Sequence, residues 1–102
     1  MSKIVQTAGR NALGEFAPEF AHFNDDVLFG ENWNDQSIDI KTRCIITVVA
    51  LMSQGITDSS LIYHLQNAKA NGVSRREIVA IITHTAFYAG CASDIIGLNR
   101  AA

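Results

Sequence analysis

Asn71-Gly72-Val73-Ser74-Arg75-Arg76-Glu77-Ile78 is the stretch that decides the fold class. Asn71-Gly72 reads as a helix end, because glycine enters the left-handed backbone region that closes a helix without steric cost. Ser74 and Glu77 then have the spacing of a capping box, in which each side chain accepts from the other residue's backbone N–H, and Val73 and Ile78 are placed as its hydrophobic staple. One helix therefore stops and the next starts at Arg75. Downstream, Ile78, Ile81, Ile82 and Thr85 share a helical face as far as Ala89, and Gly90 reads as the stop.

Working back from Asn71, the residues Leu61, His64, Leu65 and Ala68 fall on one face of a helix whose N-cap is Thr57 or Asp58. Gln54-Gly55-Ile56-Thr57-Asp58 joins it to a central helix over Ile38–Met52. That helix is dense in Ile38, Ile40, Ile45, Ile46, Val48, Val49, Leu51 and Met52, with Asp39, Lys41, Thr42 and Arg43 confined to its start. So many β-branched residues admit a competing strand reading. Glu31-Asn32-Trp33-Asn34-Asp35-Gln36-Ser37 is polar and reads as a loop with one exposed or pocket-lining indole. Before it, Pro18 suits a first helical turn, and Phe20, Phe23, Val27 and Leu28 recur at helical spacing until Gly30 supplies a stop. A short last helix is expected over Ala92–Asn99. The expectation is an all-α domain of about five helices spanning residues 1–102, without repeat, linker or low-complexity tract.

Composition limits the function classes. Hydrophobic residues make up 48% of 102 residues, and the mean hydropathy is +0.13. A core this small leaves much surface exposed, so part of that apolar material is expected in subunit contacts. The formal charge of −2 and pI near 5.8 provide no cationic field for nucleic acid or anionic lipid. Met1-Ser2-Lys3-Ile4-Val5-Gln6 lacks a signal-peptide core, and no apolar run is long enough to cross a bilayer, so no membrane role and a cytoplasmic location are expected. Cys44 and Cys91 lie far apart and form neither a disulfide framework nor a zinc spacing; they read as buried or incidental thiols.

Few residues could carry chemistry. His64 stands out because an imidazole on an apolar face is desolvated, and its lowered pKa lets it exchange a proton near neutral pH. The competing reading is a packed histidine bonded to a backbone carbonyl. The same pair of readings applies to His84, ahead of Thr85-Ala86-Phe87-Tyr88. His22, between Ala21 and Phe23, reads as a surface or interface residue. No two histidines share the i, i+3 or i, i+4 relation that would bring both onto one metal ion, so zinc is disfavoured. Arg43 opens an otherwise apolar helix and its planar fork suits a carboxylate ligand, although an ion pair with Asp39 fits the spacing equally well. Glu31 is either a loop acid beside the Trp33 indole or a solvated charge. Phosphate-cradling glycine loops, nucleophile elbows and dinucleotide fingerprints are absent.

In order along the chain, Phe16-Ala17-Pro18-Glu19-Phe20, Leu28-Phe29-Gly30-Glu31 with Trp33, Arg43-Cys44-Ile45-Ile46-Thr47, His64-Leu65-Gln66-Asn67-Ala68, Asn71-Gly72-Val73-Ser74, Glu77-Ile78 and Ile82-Thr83-His84-Thr85-Ala86-Phe87-Tyr88-Ala89-Gly90 resemble the carboxymuconolactone decarboxylase family. The resemblance implies an alkylhydroperoxidase-D-like helical fold that assembles as a symmetric homo-oligomer, whether dimer, trimer or hexamer. It implies a cofactor-independent decarboxylase acting on a small carboxylated lactone, with no metal and no organic cofactor. His64 is then the expected proton donor at a subunit-interface pocket and Arg43 the anion anchor, with His84 and Glu31 as secondary catalytic candidates.

Relatives that reduce peroxides use a Cys-x-x-Cys-x-x-x-His constellation. Alignment on His64 and Gly72 places Thr57 and Ser60 where those cysteines stand, and puts the acid of the relay near Ile45. Neither hydroxyl can form a thiolate, so this chain resembles the branch without the redox pair. A thiol-dependent peroxidase of peroxiredoxin type and a non-catalytic oligomeric small-molecule-binding protein are the alternatives. After Gly90 the family continues with a Trp-Pro pair, whereas this chain reads Cys91-Ala92-Ser93-Asp94 and departs from the pattern.

Overall fold

The structure, a computed structural model, describes residues 3–89. Gly90 as a helix stop, Cys91 and the expected helix Ala92–Asn99 lie outside the described residues. Among the described residues every regular element is helical: α1 (Ala8–Leu13), α2 (Pro18–His22) continuing into a π-helical stretch (Phe23–Asn32), α3 (Ile40–Ser53), α4 (Ser59–Ala70) and α5 (Arg75–Ala89). The strand reading of the central segment is thereby removed. None of these helices is long and apolar enough to cross a membrane. The chain divides between Ile40 and Lys41 into two compact units.

The amino-terminal unit is organised around a buried carboxylate. Asp25 is 2% exposed, and its Oδ1 accepts from the Gly9 N–H at 2.9 Å while Oδ2 accepts from the Arg10 N–H at 2.8 Å. Asn24 Nδ2 donates to Oδ1 as well, at 2.9 Å. One side chain thus satisfies two of the otherwise orphan donors at the start of α1, while the Ala8 N–H donates to Gln6 Oε1 at 3.0 Å. Burial pushes the Asp25 carboxyl pKa up, but the bonds from Asn24, Arg10 and Gly9 and the nearby Arg10 charge outweigh it, and the net direction is below the ordinary value. Gly9 is needed there because a Cβ would stand 2.6 Å from Asp25 Oδ1. Arg10 also pairs with Asp26, which receives His22 Nδ1 at 2.8 Å.

Three expectations for this region are corrected. The helix begun at Pro18 does not stop at Gly30, because i→i+5 bonding carries it on to Asn32, with Trp33 N donating to Leu28 O at 2.9 Å. Glu31 and Asn32 are therefore helical rather than in a loop. Trp33 is buried rather than exposed, stacked on Phe29 with ring centroids 5.9 Å apart. The expected apolar stripe is largely on the surface: Phe20, Phe23 and Leu28 are exposed, and Ala21 and Asp25 are buried instead.

In the second unit, α3 begins at Ile40, two residues later than expected, and leaves Ile38 exposed. Its core stripe is Cys44, Val48 and Met52, spaced four apart and each fully buried. α4 is capped by Asp58, whose side chain accepts from the Ser60 N–H at 2.9 Å. Leu61 and Ala68 on α4 are buried and His64 and Leu65 half-buried, so the four share the inward side as expected. The α4–α5 turn is closed by Gly72 at φ +96°, a backbone conformation that L side chains rarely adopt.

The capping box forms at the next residues. Ser74 N donates to Glu77 Oε1 at 2.9 Å and Glu77 N donates to Ser74 Oγ at 3.0 Å, while Lys41 Nζ from α3 donates to Glu77 Oε2 at 2.9 Å. The Ser74 N–H, then Lys41, draw the Glu77 carboxyl from 4.5 down to about 2. Because the fold holds this group ionised, its contribution is complete above pH 4.5 and is lost as pH falls through about 2. Urea denaturation should therefore show Ser74→Ala destabilised by about 1 kcal/mol at pH 7. The Glu77→Gln variant should lose stability less steeply than the parent across that acid range; an unchanged Ser74→Ala midpoint would refute the capping role.

Candidate functional site at the α3–α4 seam

Cys44 ties the two helices together. Its thiol is directed at the Asn67 carbonyl at 4.0 Å, and Asn67 Nδ2 donates back to Cys44 Sγ at 3.8 Å. Asn71 Nδ2 adds bonds to the Asn67 carbonyl at 2.8 Å and to Oδ1 at 3.2 Å. Burial pushes the Cys44 thiol pKa up, which keeps it protonated and a poor nucleophile at neutral pH.

Arg43 and His64 flank this tie. Arg43 immediately precedes Cys44 on α3; it is half-buried, its Nε is shielded from solvent, and its carbonyl accepts from Thr47 Oγ1 at 2.8 Å. His64 lies one helical turn before Asn67 on α4, an axial offset of roughly 4.5 Å. It is half-buried with Nδ1 shielded from solvent, and its ring meets the edge of Tyr63 with centroids 4.9 Å apart at 81°. Burial pushes the His64 pKa below 6.5, so the neutral imidazole dominates at pH 7. The seam thus offers a desolvated proton-exchanging group and a permanent cation on adjoining helices.

The other two sequence candidates stand differently. His84 is exposed on α5, with its ring 4.8 Å from that of Tyr88. Glu31 is exposed on the π-helical stretch of the amino-terminal unit. Thr57 and Ser60, at the positions aligned with the redox cysteines, are exposed near the start of α4, where the Ser60 N–H serves the helix cap. Among the described residues no cluster of three His, Cys, Asp or Glu side chains could hold a metal ion.

Two residues with structural weight were not singled out from sequence. Asn67 is a small polar side chain one turn after His64 and next to the buried Ala68, a position that could have marked it as an interhelical tie. Asp25 follows the buried Ala21 by four residues, so the helical period itself placed a carboxylate on an inward face.

The model of the carboxymuconolactone decarboxylase family matches residues 18–95. The chain belongs to the carboxymuconolactone decarboxylase family. Within this family it is similar to a 4-carboxymuconolactone decarboxylase of Acinetobacter baylyi, 29% identical over 89 residues that make up 87% of this chain and 66% of the relative. It is also 30% identical over 66 residues to an uncharacterised 15.0 kDa protein from the nqo9–nqo10 intergenic region of Paracoccus denitrificans, covering 64% of this chain and 49% of that protein. The chain thus spans just under two thirds of the first relative's length and about half of the second's. No solved structure matches it significantly.

With hydroxyls at positions 57 and 60 and a protonated, buried Cys44, reduction of an organic hydroperoxide by a dithiol should stay at the uncatalysed background in a coupled assay. Robust turnover abolished by Cys44→Ser would contradict this reading of the seam.

Proposed function

We propose that this family member is a cofactor-independent, decarboxylase-like enzyme acting on a small carboxylated lactone, with the α3–α4 seam as its chemical centre. The observation that carries the reading is the placement of His64 and Arg43 within one helical turn of the same Cys44–Asn67 contact. The relative named as a 4-carboxymuconolactone decarboxylase supports the substrate class.

The reaction needs two things from the protein. As the C–C bond to the carboxylate breaks and carbon dioxide leaves, its electron pair moves through the conjugated system onto the lactone carbonyl oxygen, giving a dienolate. Arg43 anchors the anionic substrate and stabilises the developing negative oxygen, which a desolvated site does more effectively than water. The dienolate must then gain a proton at carbon. His64 supplies it: burial disfavours the imidazolium, so the protonated form is a stronger acid than free imidazolium and is restored from solvent after each turnover. His84 and Glu31 are secondary candidates, brought into use when subunits share a pocket. We propose a symmetric homo-oligomer on the strength of exposed Phe16, Phe20, Phe23, Phe87 and Tyr88, which a monomer leaves in water.

His64→Gln keeps a polar side chain of similar reach and removes the proton donor. With 4-carboxymuconolactone as the probe, kcat should fall by roughly two to four powers of ten, the usual scale of general acid–base catalysis. The melting temperature should hold, and light scattering should give a mass well above 11.1 kDa for parent and variant. A folded His64→Gln protein with parental turnover would remove His64 from the mechanism. Loss of about 1–3 kcal/mol of stability with kcat unchanged would assign it a packing role instead. An inactive parent would reject this substrate.

A further inference from the structure

A concave feature lies in the second unit, on the side of α4 that turns toward the start of α5. It is a groove of about 610 Å³ with apolar walls from Ile62, Leu65, Val73 and Ile78, bordered by Lys69 and Arg75. Gly72 lies in its lining, and a Cβ built there would meet nothing within 4 Å, so the turn leaves the groove open. Its size falls within the range of small-molecule sites, whose usual composition is an apolar lining with a few polar groups that fix orientation.

The two cations distinguish this groove from ordinary surface. The chain carries a net charge of −2, yet Lys69 and Arg75 both border the groove and, among the described residues, neither side chain has an ion-pair or hydrogen-bond partner. Glu77, the acid at the start of α5, is held by the Ser74 N–H and Lys41 and is not in the lining. Positive charge beside an apolar trough is complementary to a ligand with an anionic head and an apolar body. Neither His64 nor Arg43 lines the groove.

We propose that the α4–α5 groove is a binding site for a soluble amphipathic carboxylate, separate from the α3–α4 seam. The apolar body lies along Ile62, Leu65, Val73 and Ile78, where burial of its methylenes supplies affinity. The carboxylate is directed to Lys69 and Arg75, the latter able to engage both oxygens through its planar fork.

Calorimetry and heteronuclear NMR on the intact chain test this with octanoate as the probe. Saturable binding is expected, with shifts centred on Lys69, Arg75 and the Ile78 methyls. Octanol, which has the tail without the charge, and acetate, which has the charge without the tail, should each bind at least about tenfold more weakly. Both cations are exposed, so the double variant Lys69→Gln with Arg75→Gln should melt like the parent and bind octanoate about tenfold more weakly. His64→Gln should bind octanoate like the parent, which separates this site from the catalytic reading. Equal binding of octanol, no binding at millimolar octanoate, shifts centred on His64 and Arg43, or an unaffected double variant would each overturn the proposal. Shifts of the groove residues on dilution without octanoate would overturn it as well, by assigning the groove to a second copy of the chain.

Discussion

The contact between Cys44 and Asn67 is the constraint on which the second unit of this molecule, and the site proposed in it, depends. A thiol is small enough to be fully enclosed between two helices and polar enough to meet a carbonyl and an amide there. Around it, Val48 and Met52 from α3 and Leu61 and Ala68 from α4 are shut off from water. Burial of these side chains drives the packing, at roughly 25 cal/mol per Å² of apolar surface. The polar tie contributes register more than energy, since it fixes which turn of α4 faces which turn of α3. Arg43 and His64 then owe their positions to their neighbours in sequence, one preceding Cys44 and the other one turn before Asn67.

The amino-terminal unit uses a different device. There a single ionised carboxylate, Asp25, holds the start of the short helix α1 by accepting two successive backbone N–H groups. An isolated helix of six residues is far too short to form by itself in water, so its persistence rests on this capping and on packing. The π-helical stretch that carries Asp25 also brings Trp33 onto Phe29. Among the described residues, each unit therefore combines an apolar face with an enclosed polar tie, a thiol–amide contact in one and a carboxylate cap in the other.

Much of the second unit was legible in the sequence because its signals are local. Ser74 and Glu77 carry a helix start in four residues, and the reciprocal bonds form as the spacing requires. Asn71-Gly72 marks the preceding stop, and the spacing of Leu61, His64 and Ala68 identifies the inward side of α4. The amino-terminal unit was harder to read because its determinants are remote in sequence: Asp25 acts on Gly9 and Arg10, sixteen and fifteen residues away. The continuation past Gly30 was hidden for another reason. Glycine ends helices when the chain turns left-handed, and here an i→i+5 turn carries it onward instead. Trp33 was misplaced because the polar residues around it suggested a loop, whereas its ring finds Phe29 one turn earlier. At the seam, the helical period indicated that His64 faces inward, but the meeting of Cys44 with Asn67, twenty-three residues apart, has no local signal.

The central claim is that this seam withdraws His64 from water and thereby sets its protonation state. Burial is the cause, and it acts against the charged imidazolium. The most direct measurement is an NMR titration of the His64 Cε1–H resonance in the unmodified protein between pH 4 and 8. The account predicts a midpoint below the ordinary value of 6.5, with the neutral ring predominant at pH 7. A midpoint at or above 6.5 would contradict it, because the imidazole would then be solvated or paired with an acid rather than desolvated between α3 and α4.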